Sequence, residues 1–222
     1  MNATTTTLER GYVNLPIPYG WFGVGRSGDI QNGQVKTMRY FATEFVLWRG
    51  GDGLLRVVDP FCPHMGAHLG ISGDVTGNDL RCGYHHWRFN GEGGVVSVPY
   101  SDAIAPSMKR GCVKTWQIAE SDGVVFVWYH PNKAAPKWEV AGLPPCPGGG
   151  AWVEGERHEW LIDIHVQEIT ENGQDYKHFN AVHGVPGPPE GDFKLDGWVR
   201  YNKVVAEMNT PRGPMTGIID VK

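Results

Sequence analysis

The 222-residue chain carries 20 lysines and arginines against 24 aspartates and glutamates, a formal net charge of −4. A balance of that kind lacks the basic footprint that nucleic-acid binding requires. The counts of 31 glycines and nine tryptophans favour a loop-rich β protein, and the length allows one large domain or two small ones. In chain order, Met1 to Gly11 is a threonine-rich polar tail without an apolar core, so no signal peptide is expected and a cytoplasmic location is read from it. Short β-rich runs then recur between turn residues: Trp21 to Gly25, Val35 to Phe41, Glu44 to Trp48, Leu54 to Asp59, Val95 to Val98, Val113 to Ala119 and Val124 to Tyr129. Strands of that length and spacing predict an antiparallel sandwich or small barrel, with Asn90-Gly91 and Asp122-Gly123 as tight hairpin turns. The longest apolar run, Val124 to Tyr129, is strand-sized, so no membrane span is expected.

Among these runs stand two pairs of metal-ligand residues, Cys62-Pro63-His64 and Cys82-Gly83-Tyr84-His85, with seventeen residues between His64 and Cys82. In a Rieske [2Fe-2S] centre two thiolates hold one iron and two imidazoles the other, so each loop supplies one soft anionic and one neutral ligand. Exchanging two thiolates for imidazoles removes negative charge and raises the reduction potential, which makes the centre a mid-potential electron relay. Zinc also accepts Cys and His. Its modules, however, usually open with a cysteine pair, whereas each half-site here pairs Cys with His. Gly66, Gly70 and Gly83 are expected to let backbone N–H groups approach the bridging sulfides. His86, Trp87 and Arg88 are expected to pack over the centre, and His68 to be an ordinary loop histidine. Cys112 and Cys146 lie far from the motif and read as reduced, unpaired thiols.

From Pro131 to Gly150 the sequence turns rich in proline and glycine and reads as a connector. Beyond it, Trp160 to Gln167 alternates well enough for a strand, and Glu168 to His183 for a polar helix with Thr170 as N-cap. Asp175, His178 and His183 form a D-x-x-H-x-x-x-x-H pattern that by itself is weak. On a regular helix residues at i and i+5 diverge by about 140°, so His178 and His183 meet only if the helix ends or bulges, and Gly184 with Pro186 supplies a stop.

The stretch from about Trp21 to Tyr129, with CPHMGAHLG, CGYHHWRF, the following GxGGVVSVPY and the late FVWYH, closely resembles the N-terminal domain of the Rieske non-haem iron oxygenases. Within them it is most similar to the steroid-active branch, the 3-ketosteroid 9α-hydroxylases and cholesterol 7-desaturases. The resemblance implies a mostly β Rieske domain over residues 17–130, a linker over 131–150 and the N-terminal part of an α+β mononuclear-iron catalytic domain over 151–222. It also implies that Cys62, His64, Cys82 and His85 hold the cluster and that His178 and His183 bind mononuclear Fe(II). Asp175 then becomes a hydrogen-bonding bridge between an iron histidine and the cluster histidine of a neighbouring subunit. The site expected is a 2-His-1-carboxylate triad, open to dioxygen and substrate. In the family its carboxylate lies far downstream, beyond Lys222, so the catalytic segment is expected to be incomplete by itself. Glu190, Asp192, Asp196, Glu207 and Asp220 are the later acids and read as surface charges. The implied activity is that of a monooxygenase component, fed by a separate NAD(P)H-dependent flavin and iron-sulfur reductase and hydroxylating an apolar, steroid-like substrate with O2, in a homotrimer. No nucleotide-binding G-x-G-x-x-G opens a helix here, which agrees with a separate reductase. The alternatives are a stand-alone Rieske ferredoxin, for which His178 and His183 would have no use, an aromatic-ring hydroxylating oxygenase, and a zinc-binding interaction module.

Overall fold

The computed structural model describes residues 15–143, 145–146, 149–153, 156–186, 189–197 and 199–221. The chain divides into two compact units: Pro18–Pro144, and a second made of Pro145–Lys222 with Met1–Ile17.

The first unit contains strands β1 (Gly20–Arg26), β2 (Val35–Tyr40), β3 (Thr43–Arg49), β4 (Leu55–Val58), β5 (Asp74–Thr76), β6 (Asp79–Arg81), β7 (Arg88–Phe89), β8 (Val95–Ser97), β9 (Ile118–Ser121) and β10 (Val124–Tyr129). Two single-turn helices, α1 (Leu69–Ser72) and α2 (Pro106–Lys109), interrupt them. Every sheet pairing is antiparallel, in the orders β1-β10-β9, β2-β3-β4 and β5-β6-β7-β8. β3 explains how these layers stack. Phe45, Val46, Leu47 and Trp48 are all fully buried, because the strand has hydrophobic cover on both faces. Phe45 and Leu47 join Val24, Val57, Val125 and Val127 in one core, while Val46 and Trp48 join Leu69, Leu80 and Phe89 in another. A strand covered on both sides reads as a continuous apolar run, which is how β3 appears in the sequence.

The Asp122-Gly123 turn forms as predicted: both residues have positive φ, 49° and 77°, and they join Ser121 to Val124 as a two-residue hairpin. Asn90-Gly91 does not. Five residues separate β7 from β8, and the Asn90 side chain accepts the N–H groups of Glu92 and Gly94, an Asx turn that competes with the tight hairpin. The run Val113 to Ala119 also splits. Residues 114–116 hydrogen-bond alongside the end of β4, through Asp59 N to Lys114 O and Trp116 N to Val57 O, and β9 begins only at Ile118. The proline-rich stretch after β10 is fastened to the first unit. Trp21 Nε1 donates to Trp138 O and Trp128 Nε1 to Ala134 O, both at 2.8 Å, and Leu143 N donates to the Asp122 carboxylate.

In the second unit residues 156–165 form neither helix nor strand, so the strand expected over Trp160 to Gln167 is absent. His165 ends that segment as an N-cap: its Nδ1 accepts from Gln167 N, and α3 (Val166–Asn172) starts there. Thr170 therefore lies inside the helix rather than capping it. α4 (His178–His183) follows after a break at Gly173 and ends on Gly184, whose φ of 65° makes the left-handed stop. Three antiparallel strands complete the unit, β11 (Glu190–Asp196), β12 (Val199–Thr210) and β13 (Gly213–Val221), as a meander. One face of β12 carries the buried Asn202, Val204 and Ala206, and it meets the helical segment: Asn202 Nδ2 donates to Gly173 O, and Tyr176 lies against Gly191, the partner of Val204. Glu190, Asp192, Asp196 and Glu207 alternate with that face and are exposed. Their reading as surface charges agrees with this placement.

Candidate metal centre

Cys62 to Ala67 and Cys82 to Trp87 are two loops with the same backbone. Each rises from a pair of facing antiparallel residues, Phe61 with His68 and Arg81 with Arg88. In each, the cysteine N–H donates to the carbonyl five residues on and its carbonyl accepts from the N–H four residues on, at 2.9 to 3.0 Å. The fourth position is left-handed in both, Gly66 at φ 74° and His86 at φ 58°. Histidine is among the residues that tolerate this region better than most. His86 is thereby exposed and does not pack over the centre, contrary to the sequence-based expectation. Gly70 and Gly83 also make room for neighbouring groups. A Cβ on Gly70 would strike Thr37, and one on Gly83 would overlap the carbonyl of Ser72, at the end of the helix that follows the first loop. The missing side chain at Gly83 lets the second loop close on the end of α1.

The loops bring their ligand-type residues together in pairs. Cys62 and Cys82 are 3 % and 2 % exposed within the core of Val46, Trp48, Leu80 and Phe89. Burial pushes the Cys62 thiol up to about 11, with the neighbouring Cys82 thiol adding to the rise and backbone N–H groups of the loop opposing it. Two buried thiolates side by side need a cation between them, which a metal supplies. The rings of His64 and His85 lie 4.6 Å apart at 71°. Nδ1 of His64 is buried and has no hydrogen-bond partner, the condition of a nitrogen available to a metal. Among the described residues no three His, Cys, Asp or Glu side chains converge on one ion position. A pair of thiols beside a pair of imidazoles suits a two-iron centre, whereas zinc would draw all four onto one tetrahedron.

Aromatic side chains surround the imidazoles. Trp87 stacks on His64 with ring centres 4.5 Å apart and planes 10° from parallel, and Tyr84 tilts against His85 at 4.0 Å. The indole N–H of Trp87 donates to the Tyr100 hydroxyl at 2.6 Å. The sequence offers no signal for Tyr100 beyond its place at the end of the VVSVPY run. His68 is a satisfied loop histidine, its Nδ1 accepting from Gly70 N and its Nε2 lying 3.2 Å from the Glu44 carboxylate. Hydrogen bonds from Arg39 and His68 hold that carboxyl below its ordinary range.

In the second unit α4 brings His178 and His183 to 5.3 Å between ring centres, at 66°. The short helix achieves this without an internal break, because His178 is its first residue and His183 its last. Nδ1 of His178 contacts the Asp175 backbone carbonyl, while the Asp175 carboxylate accepts from Lys177 N at 3.2 Å. Asp175 thus meets His178 through its carbonyl rather than its carboxylate. Among the described residues no third ligand joins this pair. The donors present match two of the three that a facial triad uses.

Two family sequence models match the chain in series: the Rieske [2Fe-2S] domain over residues 20–117, and the 3-ketosteroid 9α-hydroxylase C-terminal domain over residues 127–208. The chain belongs to the Rieske oxygenases. Its curated relatives include a cholesterol 7-desaturase of Bombyx mori, 40 % identical over 168 residues, with 76 % of this chain and 36 % of the relative covered. They also include a probable 3-ketosteroid-9-alpha-monooxygenase, oxygenase component, of Rhodococcus rhodochrous, 35 % identical, with 81 % of this chain and 45 % of the relative covered. This Rieske oxygenase chain therefore matches less than half the length of either relative. Dicamba monooxygenase with non-haem iron and dicamba shares the fold at a TM-score of 0.58 and 21 % identity, covering 90 % of this chain and 61 % of that one. NdmA of Pseudomonas putida CBB5 does so at 0.59 and 17 %, covering 90 % and 66 %. No helix among the described residues is long and apolar enough to cross a membrane.

Proposed function

We propose that Cys62 and Cys82 hold one iron and His64 and His85 the other iron of the [2Fe-2S] cluster, in the oxygenase component of a multicomponent monooxygenase. The observation that carries this reading is the pairing: buried thiol with thiol, and imidazole with imidazole carrying an unpartnered buried nitrogen. When bound, the cluster supplies one-electron transfer at a potential above that of an all-cysteine centre. The residues of the chain bury the thiolates, keep the two imidazoles at the surface of the core and fix one of them under an indole.

His178 and His183 would supply two nitrogen ligands to mononuclear Fe(II), the metal that gives this family its chemistry with O2. Asp175 would order the turn that presents them and bridge to the cluster histidine of a neighbouring subunit, in a homotrimer. The residue ranges 17–130, 131–150 and 151–222 remain the proposed division into Rieske domain, linker and catalytic segment. The substrate proposed is apolar and steroid-like, from the matched C-terminal domain and the names of the desaturase and 9-alpha-monooxygenase relatives. Electrons would come from a separate NAD(P)H-dependent reductase, as the designation "oxygenase component" implies for the Rhodococcus relative. A cytoplasmic setting fits the four unpaired cysteines. Nitrogen hyperfine couplings in the reduced protein test the ligand set. Two inequivalent imidazole nitrogens on the cluster, both lost when His64 and His85 are replaced together, are expected. A colourless protein that holds one zinc on the same four residues would overturn it.

A further inference from the structure

We propose that Tyr100, acting through the indole of Trp87, is a positioning residue for the cluster ligand His64; this rests on the reading of Cys62, His64, Cys82 and His85 as ligands. The two cluster loops share one backbone, so their fifth positions can be compared directly. In the first loop that position is Ala67 and in the second it is Trp87, and each accepts the N–H of its own loop's cysteine. Trp87 does more. Its carbonyl closes the second loop while its ring reaches across to lie flat on the histidine of the first, 4.5 Å away and 10° from parallel. Ala67 has no ring to place on His85, whose aromatic neighbour Tyr84 meets it at 44°.

An indole stacked on an imidazole can still turn in its own plane or swing off. The Trp87 N–H removes that freedom by donating to the Tyr100 hydroxyl at 2.6 Å. Tyr100 is 62 % exposed, so its ring fills no core, and the contact that distinguishes it is this hydrogen bond. The Tyr100 ring stands 6.4 Å from His64 between ring centres, at the long end of aromatic contact, and its hydroxyl is linked to His64 through Trp87. The consequence is an unequal pair of imidazoles. His64 is covered by a flat-stacked indole, whereas His85 meets only the tilted Tyr84 ring of its own loop and the His64 ring at 71°. Groups outside the ligand set that fix the orientation of a ligand ring are part of what tunes a metal site.

The test uses the whole chain with its cluster, as wild type, Tyr100→Phe, Trp87→Phe and the double variant. Tyr100→Phe removes one exposed oxygen and is expected to retain two irons per chain. The nitrogen coupling of one imidazole should broaden and shift while the other stays as in wild type, and the cluster should be lost to air about fivefold faster, the change that one hydrogen bond supports. Because Tyr100 works through Trp87, the double variant should match Trp87→Phe alone. A Tyr100→Phe spectrum identical to wild type, equal broadening of both imidazoles, or fully additive effects in the double variant would each overturn the positioning role while leaving the ligand assignment standing. Absence of imidazole coupling in the wild type would instead remove the ligand assignment, and the positioning role with it.

Discussion

The two histidine-bearing segments are ordered by different means. Cys62 and Cys82 lie inside a core that includes Trp48, Leu80 and Phe89, and the loops around them repeat the same hydrogen bonds. His178 and His183 stand on a six-residue helix with no buried residue, between a turn and a glycine stop. Packing fixes the first site before any metal arrives, since a core at near-crystalline density resists small displacements. The second depends on local chain geometry, and α4 alone is too short to be stable without support. The comparison predicts that the first site tolerates mutation poorly and the second yields its metal without disturbing the fold.

The largest expected effect is therefore at the first site. Cys82→Ala should abolish the cluster, seen as loss of visible absorbance and of both irons, whereas His178→Ala should leave cluster content and spectrum unchanged. Equal cluster loss in both variants would erase the distinction. Next, in a polypeptide that also carries the downstream carboxylate ligand, Asp175→Asn should keep the cluster reducible while slowing electron delivery to the mononuclear site by about 10- to 100-fold, the range for residues that orient metal ligands, measured by single-turnover product formation. Unchanged turnover would remove Asp175 from the relay. Gly83→Ala places a Cβ against the Ser72 carbonyl, and it should cost about 1–3 kcal/mol in chemical denaturation and lower cluster occupancy. Full occupancy with unchanged stability would mean that the second loop closes by another route.

The smallest effect concerns acid stability of the first unit. Hydrogen bonds from Arg56 draw the Asp52 carboxyl from 3.8 to about 2. A carboxyl lowered on folding contributes stability that is present above its unfolded value and lost as pH falls. The contribution should thus disappear between about pH 4 and pH 2, and Asp52→Asn should give a flatter melting-temperature curve across that window. Parallel curves for the two proteins would show the pair to be without effect.

What could be read in the sequence was whatever a single residue or a short spacing decides. The C-x-H and C-x-x-H pairs, Asp122-Gly123 and the Gly184 stop are of this kind. Non-local competition hid the rest. β5, β6 and β7 are two or three residues long, too short for any periodicity to register. Trp160 to Val166 alternates like a strand, yet no strand forms there, and His165 instead spends its Nδ1 on capping α3. Gly70 and Gly83 were legible as necessary, but the groups they approach, Thr37 and Ser72, lie on other parts of the chain. The Trp87–Tyr100 bond spans a turn that gives no local sign of pairing.

The central claim is mixed ligation of a two-iron cluster by Cys62, Cys82, His64 and His85. Its most direct test is the midpoint potential of the purified, cluster-containing protein measured across neutral and alkaline pH. Imidazole ligands place the potential at about −150 to +300 mV and, by losing a ring proton on ferric iron, make it fall as pH rises. A pH-independent potential of about −400 mV, the value for plant-type all-cysteine ligation, would contradict the assignment.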